Sequence, residues 1–78
     1  MQRQFGHERY WTTFVDDRHD GRAGLRLHRE RFGKTVVAGQ VFFWDASGQS
    51  TVQTLDGDVP VEILEEAIAE AKERIRLK

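Results

Sequence analysis

Over the last third of the chain, apolar residues recur every three or four positions, with mostly charged residues between them. The recurring residues are Val61, Leu64, Ile68, Ala71 and Ile75, with Ala67 beside them. This spacing is that of one face of an amphipathic helix. Pro60 suits a first helical position, since its missing N–H would be unpaired there in any residue. The pattern predicts a helix over about residues 60–76.

The first two-thirds of the chain is rich in β-branched and aromatic residues and is divided by three turn signals. The signals are Asp20-Gly21, Gly33-Lys34 and the segment 45–49. They bound four predicted strands, at about residues 10–16, 24–32, 35–45 and 49–55. Short links favour an antiparallel meander, and the helix then packs across one face. We expect a single α+β domain over residues 1–78: a four-stranded antiparallel meander followed by one helix.

The turn types set the expected strand register, and the register decides which side chains share a face. A type II′ turn at Gly33-Lys34 puts Leu25 opposite Phe42, and a loop at 45–49 puts Phe42 opposite Val52. One face is then predicted to form the core beneath the helix. Its residues are Phe14, Leu25, Leu27, Val36, Ala38, Phe42, Trp44 and Val52.

The opposite face of the predicted sheet is also rich in apolar side chains, and one helix covers only one face. The residues expected there as an interface are Trp11, Val15, Val37, Val41, Phe43 and Leu55, together with Arg26 and His28. Exposed apolar patches above a few hundred Å² usually mark an interaction surface. We therefore expect this second face to be covered.

Three occupants of the second face stay open. The first is a second copy of the chain or another small protein, packed face to face or edge to edge, since two-fold dimers are the commonest oligomers. The second is single-stranded nucleic acid, with bases stacked on aromatic rings and phosphates on basic groups. The residues expected for that role are Trp11, Phe43, Arg22, Arg26, His28 and Lys34. The third is the chain's own segment 2–7, which includes Phe5, folded back over the patch.

The order of elements, four strands and then one helix, resembles that of small single-strand DNA-binding coactivator domains. The resemblance lies in topology alone, and it implies a curved sheet whose open face binds single-stranded nucleic acid.

Composition narrows the class of protein. The 78 residues carry a net charge of −1 and include no cysteine, which excludes a disulfide scaffold and a thiolate metal site. Neither a secretory signal nor an apolar run of membrane-spanning length is present, so we expect a cytoplasmic protein without membrane contact. Residues 1–35 hold eight basic and five acidic residues, and residues 36–78 hold four and eight.

Candidate catalytic and metal-ligating groups are sparse. Asp16, Asp17, His19 and Asp20 form the densest cluster, but Asp and His are common in turns for backbone reasons. No glycine-rich phosphate loop is present, and the two serines lack a partner base. We expect no metal and no cofactor. The sequence favours a small non-enzymatic binding protein that self-associates, with single-stranded nucleic-acid binding as the alternative.

Overall fold

The computed structural model describes residues 1–17, 22–44 and 49–76, with the backbone alone at residues 16, 17, 22, 43, 44, 49, 75 and 76. These ranges form five strands and one helix: β1 Gln2–Phe5, β2 Glu8–Asp17, β3 Arg22–Arg31, β4 Lys34–Trp44, β5 Gln49–Thr54 and α1 Val61–Arg76. Each strand pairs antiparallel with the next, in the order β1-β2-β3-β4-β5.

The α+β class, the antiparallel meander and the C-terminal helix are confirmed, but the described sheet has five strands and not four. The additional strand is β1, whose four residues are all exposed. Three of them are polar, so the chain shows no apolar alternation there from which a strand could be predicted.

The β3–β4 turn differs from the prediction in its central residues. Arg31 pairs with Lys34, so the two turn residues are Phe32 and Gly33. Both have positive φ, 51° and 79°, as a type I′ turn requires. The predicted type II′ turn at Gly33-Lys34 is therefore wrong, and the strained position is occupied by a phenylalanine.

The new turn and a β-bulge together change which residues of β4 face the helix. Near the turn His28 pairs with Val37, whereas beyond it Leu27 pairs with Gly39, so Ala38 is the extra residue. Leu25 then lies opposite Val41, and Val41 lies opposite Val52. A one-residue change in register exchanges the two faces of a strand, so Val41 takes the core position that had been predicted for Phe42.

The core lies between α1 and the face formed by β2, β3 and β4. One cluster joins Tyr10, Leu27, Ala38 and Ile63, and a second joins Leu25, Val41, Ala67 and Ala71. Ile63, Ala67 and Ala71 follow one another at four-residue steps, so they form a single stripe. The predicted stripe was rotated, because Val61, which began it, is 68% exposed.

Phe42 is buried on the face away from α1 although no described element covers that face. It pairs with Gly24, where a Cβ would lie 2.5 Å from the Phe42 ring and 2.2 Å from the Val41 carbonyl oxygen. The absent side chain lets the ring lie close to the β3 backbone, and Phe42 is only 7% exposed. The placement of Phe42 in the helix-side core is therefore corrected by the structure.

Arg29 holds the connector between β5 and α1 against the sheet. Its side chain is buried and donates to the Asp56 and Asp58 carbonyl oxygens at 2.5 and 2.9 Å and to Asp56 Oδ2 at 2.8 Å. Desolvation lowers the pKa of Arg29, but its side-chain bonds with Tyr10 and Asp56 together outweigh that effect and leave the pKa above its ordinary value. The guanidinium thus provides hydrogen-bond donors for two backbone carbonyl oxygens of the connector.

We expect Phe32→Asn to raise the free energy of unfolding by about 1 kcal/mol, because asparagine tolerates the left-handed region better than phenylalanine. Little packing is lost, since Phe32 is 89% exposed. Chemical denaturation would measure the change. Phe32→Ala is the control: it removes the ring but keeps a Cβ at positive φ, so it should not stabilise the fold. Equal effects of both variants would contradict the strained turn.

Candidate binding surfaces

The sheet face turned away from α1 is here called the outer face. The register assigns to it Gln2, Gln4, Arg9, Trp11, Thr13, Val15, Gly24, Arg26, His28, Glu30, Thr35, Val37, Gln40, Phe42, Thr51 and Gln53. Amides, hydroxyls and charged groups predominate among these side chains. The outer face is therefore a polar surface with a few aromatic and aliphatic side chains, and not the largely apolar layer that was predicted.

Five of the predicted interface residues are brought together on the outer face. Trp11, His28 and Val37 lie side by side on adjacent strands, and Val15 and Arg26 lie in neighbouring rows. All five side chains are half-buried. The structure thus brings these five side chains together on one face, and their role as an interface stays a prediction.

The centre of the outer face is an aromatic stack. The rings of Trp11 and His28 lie 5.5 Å apart at 13° to each other, and Thr13 Oγ1 shares a 2.9 Å hydrogen bond with His28 Nε2. Desolvation, helped by the charge of Arg26, lowers the pKa of His28. The imidazole is therefore neutral at pH 7 and does not add a cation to the surface.

The His28 ring covers one side of the Trp11 indole. The other side of the indole faces β1. There a cavity of about 250 Å³ is lined in part by Trp11, Gln2, Gln4 and Arg9. An indole wall with amide and guanidinium groups around it suits a planar ring that also forms hydrogen bonds.

Other predicted site residues lie elsewhere. Val41 belongs to the core beneath α1, so its assignment to the outer face is wrong. Leu55 follows the end of β5, and its N–H donates to the Ala38 carbonyl oxygen at 2.8 Å. Lys34 pairs with Arg31 next to the β3–β4 turn and is not among the outer-face residues. The side chains of Phe43 and Arg22 lie outside the described part of the chain.

The two edges of the sheet differ in how they are protected. At the β1 edge, Arg3 forms a 2.5 Å ion pair with Glu66 of α1. The Met1 ammonium reaches Glu70 Oε1 at 2.7 Å and Thr12 Oγ1 at 2.6 Å. A short strand bearing a charge and pinned to a helix is a poor template for further pairing.

Among the residues that the structure describes, none protects the β5 edge in this way. Gln49–Thr54 contains no charged residue, no proline and no glycine. Val52 is 43% exposed and Leu55, just beyond the strand, is 44% exposed. Native sheets usually guard such an edge with charge or a bulge, so an unguarded edge strand is a site for pairing with another strand.

The flank of α1 nearest to β5 is also apolar. Glu66 and Glu70 point to β1 and β2, where their partners lie. At 100° per residue, Leu64 and Ile68 lie on the other side of the buried stripe, and both are half-buried. Val61 is exposed, and Ile68 packs against the core cluster that holds Val41, the residue opposite Val52. The sequence had placed Val52 and Val61 in the core, and the structure shows both exposed.

Other kinds of site find little support in the described ranges. Within them, no group of three or more His, Cys, Asp or Glu residues could hold a metal ion. The predicted cluster 16–20 lies outside the described side chains. Among the helices of the described ranges, none has the length and apolar character needed to cross a membrane.

Comparison with known proteins gives no relative from which a function could be transferred. No protein-family model matches the chain, and neither a curated protein nor a solved structure shows significant similarity to it.

We expect Glu70→Gln to destabilise the fold by about 1–2 kcal/mol at pH 7, the scale of a charge-assisted hydrogen bond. Burial raises the pKa of Glu70, but bonds from the Met1 ammonium and the Thr12 hydroxyl outweigh it and leave the pKa below its ordinary value. A lowered carboxylate pKa stabilises the fold above the unfolded pKa, about 4.3, and this contribution is lost as the pH falls through the folded value.

Thermal unfolding between pH 7 and pH 3 would test this expectation. The difference between the wild type and Glu70→Gln should be full above about pH 5 and should shrink below it. Glu65→Gln is the matched control, since Glu65 is an exposed carboxylate of the same helix. A difference that stays constant down to pH 3 would show that the Glu70 charge does not contribute.

Proposed function

We propose that the protein is a small non-enzymatic binding protein that takes an extended segment of a partner chain onto the open edge of β5. The observation that supports this proposal is an uncharged, six-residue edge strand whose residue Val52 is 43% exposed. Addition of a strand to such an edge is a common way of recognising a peptide.

The backbone of β5 offers hydrogen-bonding groups to such a strand. The Leu55 N–H points inward, to the Ala38 carbonyl oxygen of β4. In an antiparallel ladder successive residues alternate between pointing to one neighbour and to the other. The N–H and C=O groups of Ser50, Val52 and Thr54 therefore point to the open edge, where no strand of the described ranges pairs with them.

The apolar flank supplies side-chain contacts for one face of the added strand. Alternate residues of that strand would lie beside Val52, on the side of the sheet that carries α1. Each aliphatic side chain buried there gains about 1.5–3 kcal/mol. Main-chain hydrogen bonds with two or three such contacts give the affinity expected of a peptide-binding edge.

The outer face is a weaker candidate for self-association than the sequence suggested. Phe42 is already covered within the chain, and Val41 belongs to the core. Of the large apolar side chains found exposed among the described residues, Phe5, Phe14 and Val52 lie on the face that carries α1, Phe32 lies in the β3–β4 turn and Val61 lies on α1. The drive to cover that face is therefore smaller than at the β5 edge.

A blocked peptide of alternating threonine and valine is expected to bind at β5. Amide resonances of Ser50, Val52 and Thr54 should shift on titration, because their N–H groups gain partners. Val52→Lys should weaken binding about tenfold or more, since lysine on an edge strand opposes pairing. Phe5→Lys is the matched control, as Phe5 is similarly exposed, at 38%, on the opposite edge. Shifts confined to Trp11 and its neighbours would place the site on the outer face instead.

Single-stranded nucleic-acid binding on the outer face is a second candidate. It is supported by the cavity beside the Trp11 indole, with Arg9 in its lining and Arg26 two residues before His28 on β3. The acidic residues of α1 lie on the opposite side of the sheet, where they oppose phosphate binding least.

A labelled single-stranded oligonucleotide would test the second candidate by fluorescence anisotropy. Binding is expected at low salt and should weaken as salt rises, because phosphate contacts release counterions. Arg26→Gln should lower the affinity, whereas Lys72→Gln, which removes one cation from α1, should not. Absence of binding at low salt would remove this function.

A further inference from the structure

We infer that the strand accepted by β5 is β5 of a second copy of the chain, paired antiparallel about a two-fold axis at Val52. The inference rests on the proposed strand addition at this edge and names its partner. It would join two five-stranded sheets into one sheet of ten strands.

The sequence of β5 is complementary to itself when its direction is reversed. With Val52 opposite Val52 of the second copy, Ser50 lies opposite Thr54 and Thr51 lies opposite Gln53. Over residues 50–54 each cross-strand pair then matches in chemistry: a β-branched pair at the centre, hydroxyl pairs on the α1 side and polar pairs on the outer side. Such pairs stabilise antiparallel strands, and no like charges face each other.

The backbone groups also fit this register. Because Ser50, Val52 and Thr54 direct their N–H and C=O groups outward, a two-fold axis at Val52 sets outward-pointing residues opposite one another. These are the close hydrogen-bonded pairs of an antiparallel ladder, each with two bonds, so three pairs give about six bonds. In a register shifted by one residue, Ser50, Val52 and Thr54 would lie opposite residues whose N–H and C=O groups point back to β4. The bonds between the two copies would then be lost.

The helices leave room for this pairing. α1 packs on β3 and β4, through Leu25 and Val41. At about 4.8 Å between strands, the helix axes of the two copies would lie roughly 19 Å apart on the same side of the joined sheet. Since a helix with its side chains is about 10–12 Å across, the helices do not collide. The contact consists mainly of strand pairing, so we expect dissociation in the micromolar range.

Single cysteines would test the register, because the chain contains no cysteine of its own. Ser50→Cys and Thr54→Cys should form a disulfide-linked dimer when the two variants are mixed under mild oxidation. Neither variant should form one alone. In the proposed register, residue 50 of one copy lies four residues along the strand from residue 50 of the other, and the same holds for residue 54. The distance is about 13 Å, which is too far for a disulfide. Val52→Cys should link to itself, and Phe5→Cys on the opposite edge should not.

Light scattering after size-exclusion chromatography would accompany the cross-linking. The wild type should pass from monomer to dimer as its concentration rises, and Val52→Lys should raise the dissociation constant about tenfold or more, while Phe5→Lys should not. A wild type that stays monomeric would overturn the inference. Disulfide formation by Ser50→Cys or Thr54→Cys alone, or its absence when the two are mixed, would also overturn it. If the dimer is absent but the threonine-valine peptide still binds at Ser50, Val52 and Thr54, only the proposed dimer is wrong. If the peptide does not bind either, the proposed binding function of the β5 edge is wrong as well.

Discussion

The pairing of Leu25 with Val41 across β3 and β4 is the contact on which the rest of the structure depends. It sets Val41 beneath α1, beside Ala67 and Ala71, and sends Phe42 to the outer face. The bulge at Ala38 makes this possible, because the I′ turn and the core demand pairing registers that differ by one residue. A strained phenylalanine at the turn is tolerated because burial of Val41 beneath α1 stabilises the fold by more than the roughly 1 kcal/mol that the strain costs.

The position of α1 then decides which surfaces stay open. Its buried stripe faces β3 and β4, and its acidic flank is held to β1 and β2 through Arg3, Thr12 and the Met1 ammonium. The same orientation turns Leu64 and Ile68 towards β5 without covering that strand. One edge of the sheet is consequently guarded by ion pairs, and the other keeps both free backbone groups and apolar side chains.

This asymmetry changes how self-association is understood. The expectation from the sequence rested on a sheet that was apolar on both sides, with one helix to cover it. The structure instead shows a polar outer face in which Gly24 makes room for the Phe42 ring. Among the exposed apolar side chains, Val52 lies on β5, and the sequence of that strand is compatible with pairing to itself. The Trp11 cavity remains a separate surface with chemistry suited to a planar ring.

The sequence by itself determined the α+β class, the meander and the helix, because each depends on local periodicity and turn residues. It also located Trp11, Val15, Arg26 and His28 on one face, since β2 and β3 alternate regularly there. Only the tertiary structure decided the faces of β4 beyond the bulge and the exposure of Val61 on α1. A one-residue slip inverts a strand, and no local signal distinguishes a II′ turn from an I′ turn when the core favours the strained one. The polar strand β1 was hidden for a related reason, because it is held by edge pairing and ion pairs and buries no apolar side.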